Sequence, residues 1–484
     1  MHTTPGKVFK GEIEAYLDKE GRIFETKIDE GLKRLGFRTQ MNKAKIIKKD
    51  GYHASQILFV LVLLPLLKIR TVRSFCRKHL EQYTSSRKDT FYRFKARGYR
   101  WRSFLYYIMK EIWKVLKIEE TPGEERCFII DDSILPKRGR DIENVSFVYD
   151  HTVGRSVLGY TVVTLGLFTG TGMYALDFSY KYGKKRHPKS TEERVGDARS
   201  ISGQMSREAS MYSKLELALM MLKRAVSHGI TARYVLFDSW YSWPVFISAI
   251  RGIRQDLHVI CRLKDTKVRY GYNGKKYRLS DLYQKVKPLF RKDTRTGLRI
   301  ARATVTLPET GEEVAIIFSK DYCEPQNSDD IKGVRKDKGP KWVAFLSTDT
   351  HLHASTIIHK YTKRWAIEVC FKESKQLLEL GKDQSNSFNA QVCATTLSFL
   401  RYNLLGFLNE IEKYPTMGGL FEHLAEQSGM VTYAHRLWEF FKGLFKHSLK
   451  CIFALLKIED NLSPFIDSID QALCHHLRIK GCET

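Results

Sequence analysis

The chain offers no paired-cysteine motif. Its nine cysteines (Cys76, Cys127, Cys261, Cys323, Cys370, Cys393, Cys451, Cys474 and Cys482) are odd in number, scattered, and never spaced as CxxC. That argues against a structural zinc site and suits a reducing compartment. Cys127, Cys261 and Cys370 lie inside apolar segments, where a reduced thiol packs as a small hydrophobe. Cys474 beside His475 and His476 could ligate a metal, but that is the minority reading of the group. Long apolar runs are missing too. The longest, Ile57 to Leu67, contains Pro65 and is too short to span a bilayer, so it reads as a buried core helix. The N-terminus lacks the charged and then apolar segments of a signal peptide. There is no internal repeat and no low-complexity segment. Acid is scarce relative to base: 54 Asp and Glu against 81 Lys and Arg, a net charge of +27. An excess of that size attracts a polyanion over long range, with nucleic acid the leading candidate.

What is present describes a globular protein. Hydrophobic residues make up 43% of its 484 residues and aromatics 12%, enough for two or three domains with a sizeable core. Residues 1 to about 120 read as helical. Glu12 to Leu35 is amphipathic and highly charged, and Thr71 to Lys117 mixes aromatics with Lys and Arg. Its basic cluster of Arg87, Lys88, Arg93, Lys95, Arg97, Arg100 and Arg102 is the candidate DNA-recognition surface, with Arg93, Lys95 and Arg97 at its centre. The bland alternative is a solvated basic face over a helical bundle.

Pro122 and Gly123 mark a boundary, after which the pattern changes. Strands are expected at Arg126 to Ile130, Val157 to Gly170, Met173 to Tyr180, Tyr234 to Phe237 and Leu257 to Arg262. Helices are expected at Met211 to His228, with Gly229 at C′, and at Trp243 to Ile253. The first three strands suit an antiparallel meander, and the later ones alternate with helices as in α/β folds. Tyr182 to Gln204 reads as an exposed basic loop. Residues 266–348 interrupt this order as a β-rich insertion, with turns at Asn273-Gly274 and Thr310-Gly311 and a polar stretch from Pro325 to Pro340. One helix from about Ala354 to Leu380 and another from Asn389 to Tyr414 follow. The expected division is a helical DNA-binding region (1–120), a first core part (121–265), the insertion (266–348), a second core part (349–414) and a helical C-terminal region (415–484).

The Ala354–Leu380 helix carries the densest information, in HKYTKRWAIEVCFKESKQLLELGK. Tyr361, Glu368 and Lys375 are seven residues apart and stack on one stripe, with Arg364 beside it. A phenol, a guanidinium, a carboxylate and an ammonium on one face suit a polyanion plus a metal ion. Upstream, Asp132 ends the first expected core strand and Asp238 the fourth. Ligands collect at the carboxyl ends of strands in open α/β sheets. Three carboxylates converging there are repulsive unless divalent cations neutralise them. The structural alternative is that each Asp caps a turn or helix.

The stretch Tyr361-x2-Arg364-x3-Glu368-x6-Lys375, with Asp132 and Asp238 upstream, resembles the Y-R-E-K signature and D-D-E triad of the IS4-type insertion-sequence transposases. The preceding STDTHLHASTIIHKY and the β-rich insertion between Asp238 and Glu368 are also similar to that family, and the likeness covers roughly residues 126–410. It implies an α/β, RNase H-like catalytic core and a triad of Asp132, Asp238 and Glu368 holding two Mg²⁺, with Mn²⁺ able to substitute. It also implies phosphate contacts by Tyr361, Arg364 and Lys375, and a homodimer that holds two terminal inverted repeats for cutting and for joining to target DNA. Asp131 is adjacent to Asp132, and successive strand residues face opposite ways. Asp132, followed directly by Ser133, matches the family pattern better. Trp365 stands either as a base-stacking aromatic or as core packing, and His151 as a turn histidine rather than a neighbour of the metals. The expected location is cytoplasmic and nucleoid-associated, in a prokaryote, with no membrane contact. Two other readings stay open: an RNase H-like DNA nuclease that cuts without joining, and a non-catalytic DNA-binding relative.

Overall fold

The computed structural model describes residues 26–78, 83–84, 86–151, 153–183, 185–186, 199–320, 322 and 342–456. The expected polar stretch from Pro325 to Pro340, most of the basic loop around Lys184 to Lys189, the start of the Glu12–Leu35 segment and the Cys474–His476 group lie outside these residues.

Among the described residues, six α-helices precede the first strand: α1 (Lys27–Arg34), α2 (Phe37–Lys43), α3 (Ala54–Leu63), α4 (Val72–Arg77), α5 (Lys88–Lys95) and α6 (Trp101–Val115). The Ile57–Leu67 run is helical only as far as Leu63 and turns after it, but it is core as its composition requires, with Ile57, Leu58, Val60, Leu61 and Val62 all buried. The core sheet begins with β1 (Cys127–Pro136), β2 (Ser146–Asp150), β3 (Arg155–Phe168), β4 (Met173–Lys181) and β5 (Lys185–Arg186). Then come α7 (Ile201–Met211), α8 (Lys214–Ser227), β6 (Tyr234–Phe237), α9 (Pro244–Arg251) and β7 (His258–Leu263). The insertion supplies β8 (Tyr270–Tyr272), β9 (Lys275–Tyr277), α10 (Leu279–Val286), β10 (Arg291–Lys292), β11 (Arg299–Thr306), β12 (Glu313–Lys320) and β13 (Val343–Ser347). Four helices close the described chain: α11 (Ala354–Thr362), α12 (Trp365–Leu377), α13 (Phe388–Glu412) and α14 (Met417–Leu456).

Strands β4, β3 and β1 pair antiparallel, then β1, β6 and β7 run parallel. This order, with helices before and after it among the described residues, is that of an RNase H-like core. The runs Cys127–Ile130 and Tyr234–Phe237 are fully buried because helices cover the sheet on both faces. The insertion does not form a separate body. β13 pairs antiparallel with β7, and β12 and β11 continue outward, so one 13-stranded sheet holds core and insertion together. Its Asn273-Gly274 turn is a two-residue hairpin, both residues having positive φ.

Two strand expectations change. β1 does not end at the aspartates but runs to Pro136, because β3 pairs with it through Gly159. At that end the backbones nearly touch: a Cβ on Gly159 would lie 2.3 Å from the Leu135 carbonyl oxygen, so only glycine fits. β2, unforeseen in the sequence, forms a hairpin with the first residues of β3.

Helix α13 is the central strut, buried from Phe388 to Leu408 along almost its whole length. Its Asn403 side chain accepts from the Ala175 N–H and donates to the Ala175 carbonyl, both at 2.8 Å, filling the place of a missing strand neighbour beside β4. Arg401, also buried, caps the ends of two helices. Nε donates to the Val62 carbonyl at 3.1 Å and Nη2 to that of Leu61, while Nη1 donates to that of Leu378 at 2.9 Å. One guanidinium thereby ties the N-terminal helices to the end of α12.

Candidate active site

Strands β1 and β6 lie side by side in parallel, with Ile130 beside Phe237 as their last pair. The next residues are Asp131 and Asp238, so both strands deliver carboxylates where this ladder opens. β1 continues, paired on its other edge with β3, and its side chains alternate. Asp131 and Ser133 meet α12: Asp131 Oδ2 accepts from Arg364 Nη1 at 3.2 Å, and Ser133 Oγ accepts from Lys375 Nζ at 2.7 Å. Asp132 meets the other side: Oδ1 accepts from Tyr241 Oη at 2.8 Å and Oδ2 from Lys214 Nζ at 2.7 Å. Asp238 accepts from the Trp240 N–H at 3.0 Å, an Asx-type turn that aims the chain after β6.

The expected single helix over the signature is two. At the junction the amides of Lys363, Arg364, Ala366 and Ile367 bond carbonyls three residues back, tightening the backbone between α11 and α12. The stripe is therefore broken after Tyr361. Tyr361 turns inward, 1% exposed, with its ring 4.9 Å from that of Phe345 and the Arg364 guanidinium 5.7 Å from its centroid. Arg364 is also buried and grips Glu368 one turn along α12 as well as Asp131. Glu368 stays partly exposed, Lys375 is half-buried, and Trp365 is half-buried at the first turn of α12. Arg364 and Lys375 are thus the signature residues that bind β1, while Tyr361 backs Arg364 from the core.

The charges explain the arrangement. Burial pushes Asp131 up to about 8, with help from Asp238 and Asp132, while Arg364 opposes the shift. Burial also raises Asp238, partly offset by the Trp240 amide, and the Asp132 charge raises it further. Burial pushes Lys375 down. Both neighbours of the β1–β6 opening therefore resist ionisation unless positive charge is added. Among the described residues, no group of three or more His, Cys, Asp or Glu side chains is gathered to hold a metal ion. Asp132 and Asp238 act on each other at the opening, whereas Glu368 is linked to it only through Arg364 and Asp131 on the α12 side, so the three expected carboxylates do not close into a cage. Their chemistry still fits a divalent cation: hard oxygen donors in a partly buried, self-repelling set. In the structure Arg364 and Lys214 supply the positive charge that such a cation would bring.

In the N-terminal helices the three expected recognition residues divide. Arg93 and Arg97 are exposed and line, with Lys48, Lys49 and Tyr99, a cavity of about 360 Å³. Lys95, two residues on, points inward at 6% exposure and pairs with Asp383, with Ser385 Oγ at 3.4 Å. Its ion pair fixes the segment after α12, which Lys137 Nζ also holds through the carbonyls of Gly381 at 2.9 Å and Asp383 at 2.7 Å.

Sequence reasoning missed Lys214, Tyr241 and the tether from Asp131 to Arg364. Lys214 had a readable signal: it is the first residue of α8, directly after its Ser213 cap, where a cation opposes the helix dipole. Tyr241 lies three residues after Asp238, close enough to return to the same strand end. Lys48 and Lys49 are equally plain as a basic pair, but only the fold sets them opposite Arg93.

Two family models match the chain. One, described as DDE superfamily endonuclease, covers residues 52–276, and the other, described as transposase DDE domain, covers residues 213–404. They overlap, and each includes Asp238. Asp131 and Asp132 fall in the first, and Glu368 in the second. No curated protein matches the sequence. The two matches support a transposase or endonuclease of the DDE superfamily; enzymes of that superfamily use divalent metal ions, and a transposase domain implies DNA as the partner. No helix among the described residues is long and apolar enough to cross a membrane.

Proposed function

We propose that this chain is a cut-and-paste DNA transposase of the IS4 type, which cuts at the ends of an insertion element and joins the freed ends to target DNA. The observation that carries this reading is the meeting of Asp131, Asp132 and Asp238 at the β1–β6 opening, with Glu368 tied to the same place through Arg364. Asp132, Asp238 and Glu368 are the residues that would hold two Mg²⁺, or Mn²⁺ in their place. When bound, such ions activate a water for phosphodiester attack and stabilise the departing oxygen.

The other residues position and neutralise. Asp131, with Oδ2 on Arg364 and Oδ1 accepting from the Asp132 N–H at 2.8 Å, anchors the arginine. Tyr361 supports that arginine from behind. Lys375 stands at the α12–β1 seam, where DNA phosphates flanking the cut would meet it, and Arg364, enclosed behind it, would reach a phosphate only by exchanging its hold on Asp131 or Glu368. Arg93 and Arg97, joined by Lys48 and Lys49, hold the backbone of the element end. Two copies pair two ends, and the protein works in the cytoplasm at the nucleoid of a prokaryote.

The test uses the full chain and duplexes carrying the repeats that flank its reading frame. Mg²⁺ or Mn²⁺ supports both cleavage and joining of a 3′-hydroxyl end to a second duplex, whereas Ca²⁺, with its longer and looser coordination, supports binding alone. Cutting without any joined product leaves a nuclease and overturns transposition. Robust cleavage in EDTA overturns the metal-dependent reading altogether.

A further inference from the structure

Lys214 occupies a costly position. It opens α8 behind a complete capping box between Ser213 and Glu216, in the turn where backbone N–H groups already concentrate positive charge. The ammonium nevertheless reaches back to Asp132 Oδ2 at 2.7 Å and lies 4.6 Å from the centroid of the Trp240 ring. Both members of the pair remain partly open, with side-chain exposures of 23% and 18%. The two sides of the contact differ in freedom. Asp132 is fixed by its strand and by the fully buried Tyr241, whose hydroxyl holds its other oxygen. Lys214 has a flexible four-carbon stem and a second resting place on the face of Trp240, itself 48% exposed.

We infer that Lys214 is a charge placeholder for the catalytic centre: it neutralises Asp132 at rest and transfers to a DNA phosphate when a divalent cation takes the carboxylate. An ammonium at 2.7 Å from Oδ2 competes with an inner-shell cation for the same carboxylate and is repelled by it at close range, so metal loading weakens the Lys214 contact. The released ammonium stays at the mouth of the site, beside an exposed aromatic, where the polyanion arrives. This is an exchange of ion pairs with no covalent change. It makes Lys214 a positioning residue, and it couples metal loading to DNA loading through one side chain. The inference rests on the reading of Asp132 as a metal ligand.

The experiment measures Mn²⁺ binding by electron paramagnetic resonance and DNA affinity across a salt series, in the full chain and in Lys214→Met, Lys214→Gln and Lys214→Arg. Without DNA, Lys214→Met and Lys214→Gln bind Mn²⁺ about tenfold more tightly than the parent, while Lys214→Arg stays close to it. With DNA and metal together, the slope of log affinity against log salt falls by about one in the Met and Gln variants and is restored in Arg. Thermal melting confirms that each variant is folded. Unchanged or weaker Mn²⁺ binding in both neutral variants overturns the inference, as does an unchanged salt slope. Asp132→Asn separates the two levels: if it fails to weaken Mn²⁺ binding, the reading of Asp132 as a metal ligand itself falls, whatever Lys214 does.

Discussion

Arg364 and Asp131 are joined across the seam between α12 and β1, Nη1 to Oδ2 at 3.2 Å, and the same guanidinium also grips Glu368. The arginine is nearly enclosed, so it serves the fold as well as the reaction. Arg364→Ala leaves the Asp131 carboxyl buried without its donor and lowers stability by about 1–3 kcal/mol, the usual cost of a buried polar group left unsatisfied. Glu368→Gln keeps shape and folding but reduces single-turnover cleavage by roughly 10³-fold or more, about 4 kcal/mol of barrier. A melting curve and a cleavage time course on both variants separate these outcomes. A dead but fully stable Arg364→Ala would show that the tether has no structural share.

The adjacent aspartates are separable by the faces they serve. Asp132→Asn should abolish cleavage while DNA binding survives, because it removes a charge the proposed metal set needs. Asp131→Asn should slow cleavage roughly 10–100-fold by loosening Arg364, about 1.4–2.7 kcal/mol of barrier. Arg364 and Glu368 would then be less well held. Reversed phenotypes would make Asp131 the metal ligand and Asp132 the support.

Much of this centre is legible in the chain. The apolar runs CFII and YVLF are short, wholly hydrophobic and followed by Asp, and both are buried parallel strands with acids at the ladder's end. Gly229 does take positive φ after α8, as its place beyond the helix requires. Other features depend on partners that no local pattern names. β1 extends past its aspartates because β3 is long enough to pair there, and the insertion joins the core sheet because β7 offers an open edge to β13. The signature helix breaks because burying Tyr361 against Phe345 and Arg364 against Asp131 demands a tighter turn than one straight stripe gives. Lys95 could have been distinguished: two residues on a helix are about 200° apart, so it cannot share a face with Arg93.

The split among the basic residues yields the next expectation. Arg93→Ala with Arg97→Ala should weaken binding to element ends and reduce its salt slope by about two, one for each phosphate no longer neutralised, without changing stability. Lys95→Ala should do the reverse: a lower melting temperature from the orphaned Asp383, with the salt slope retained. Affinity titrations at several salt concentrations decide between them. An unchanged slope in the double variant would move recognition away from the cavity that Lys48, Lys49, Arg93 and Arg97 line.

Glu373 gives the control within α12. It lies five residues from Glu368, about 140° around the helix, and so points away from the Arg364 contact. Burial pushes its carboxyl up to about 7, with the Lys372 charge opposing only in part. A carboxyl whose folded pKa is raised contributes stability that is complete below its ordinary value near 4.5, declines as pH rises, and is lost once pH passes through about 7. Glu373→Gln cannot ionise and so escapes that loss. Relative to the parent, it should gain stability between pH 5 and pH 8, by an amount on the order of 1–3 kcal/mol. Cleavage should persist at close to the parent rate, because the side chain does not touch the proposed metal set. Melting temperatures at the two pH values, measured in EDTA so that metal binding does not intervene, read the first effect, and single-turnover cleavage reads the second. An inactive but stable Glu373→Gln beside an active Glu368→Gln would place the functional carboxylate on the wrong face of α12 and remove Glu368 from the centre.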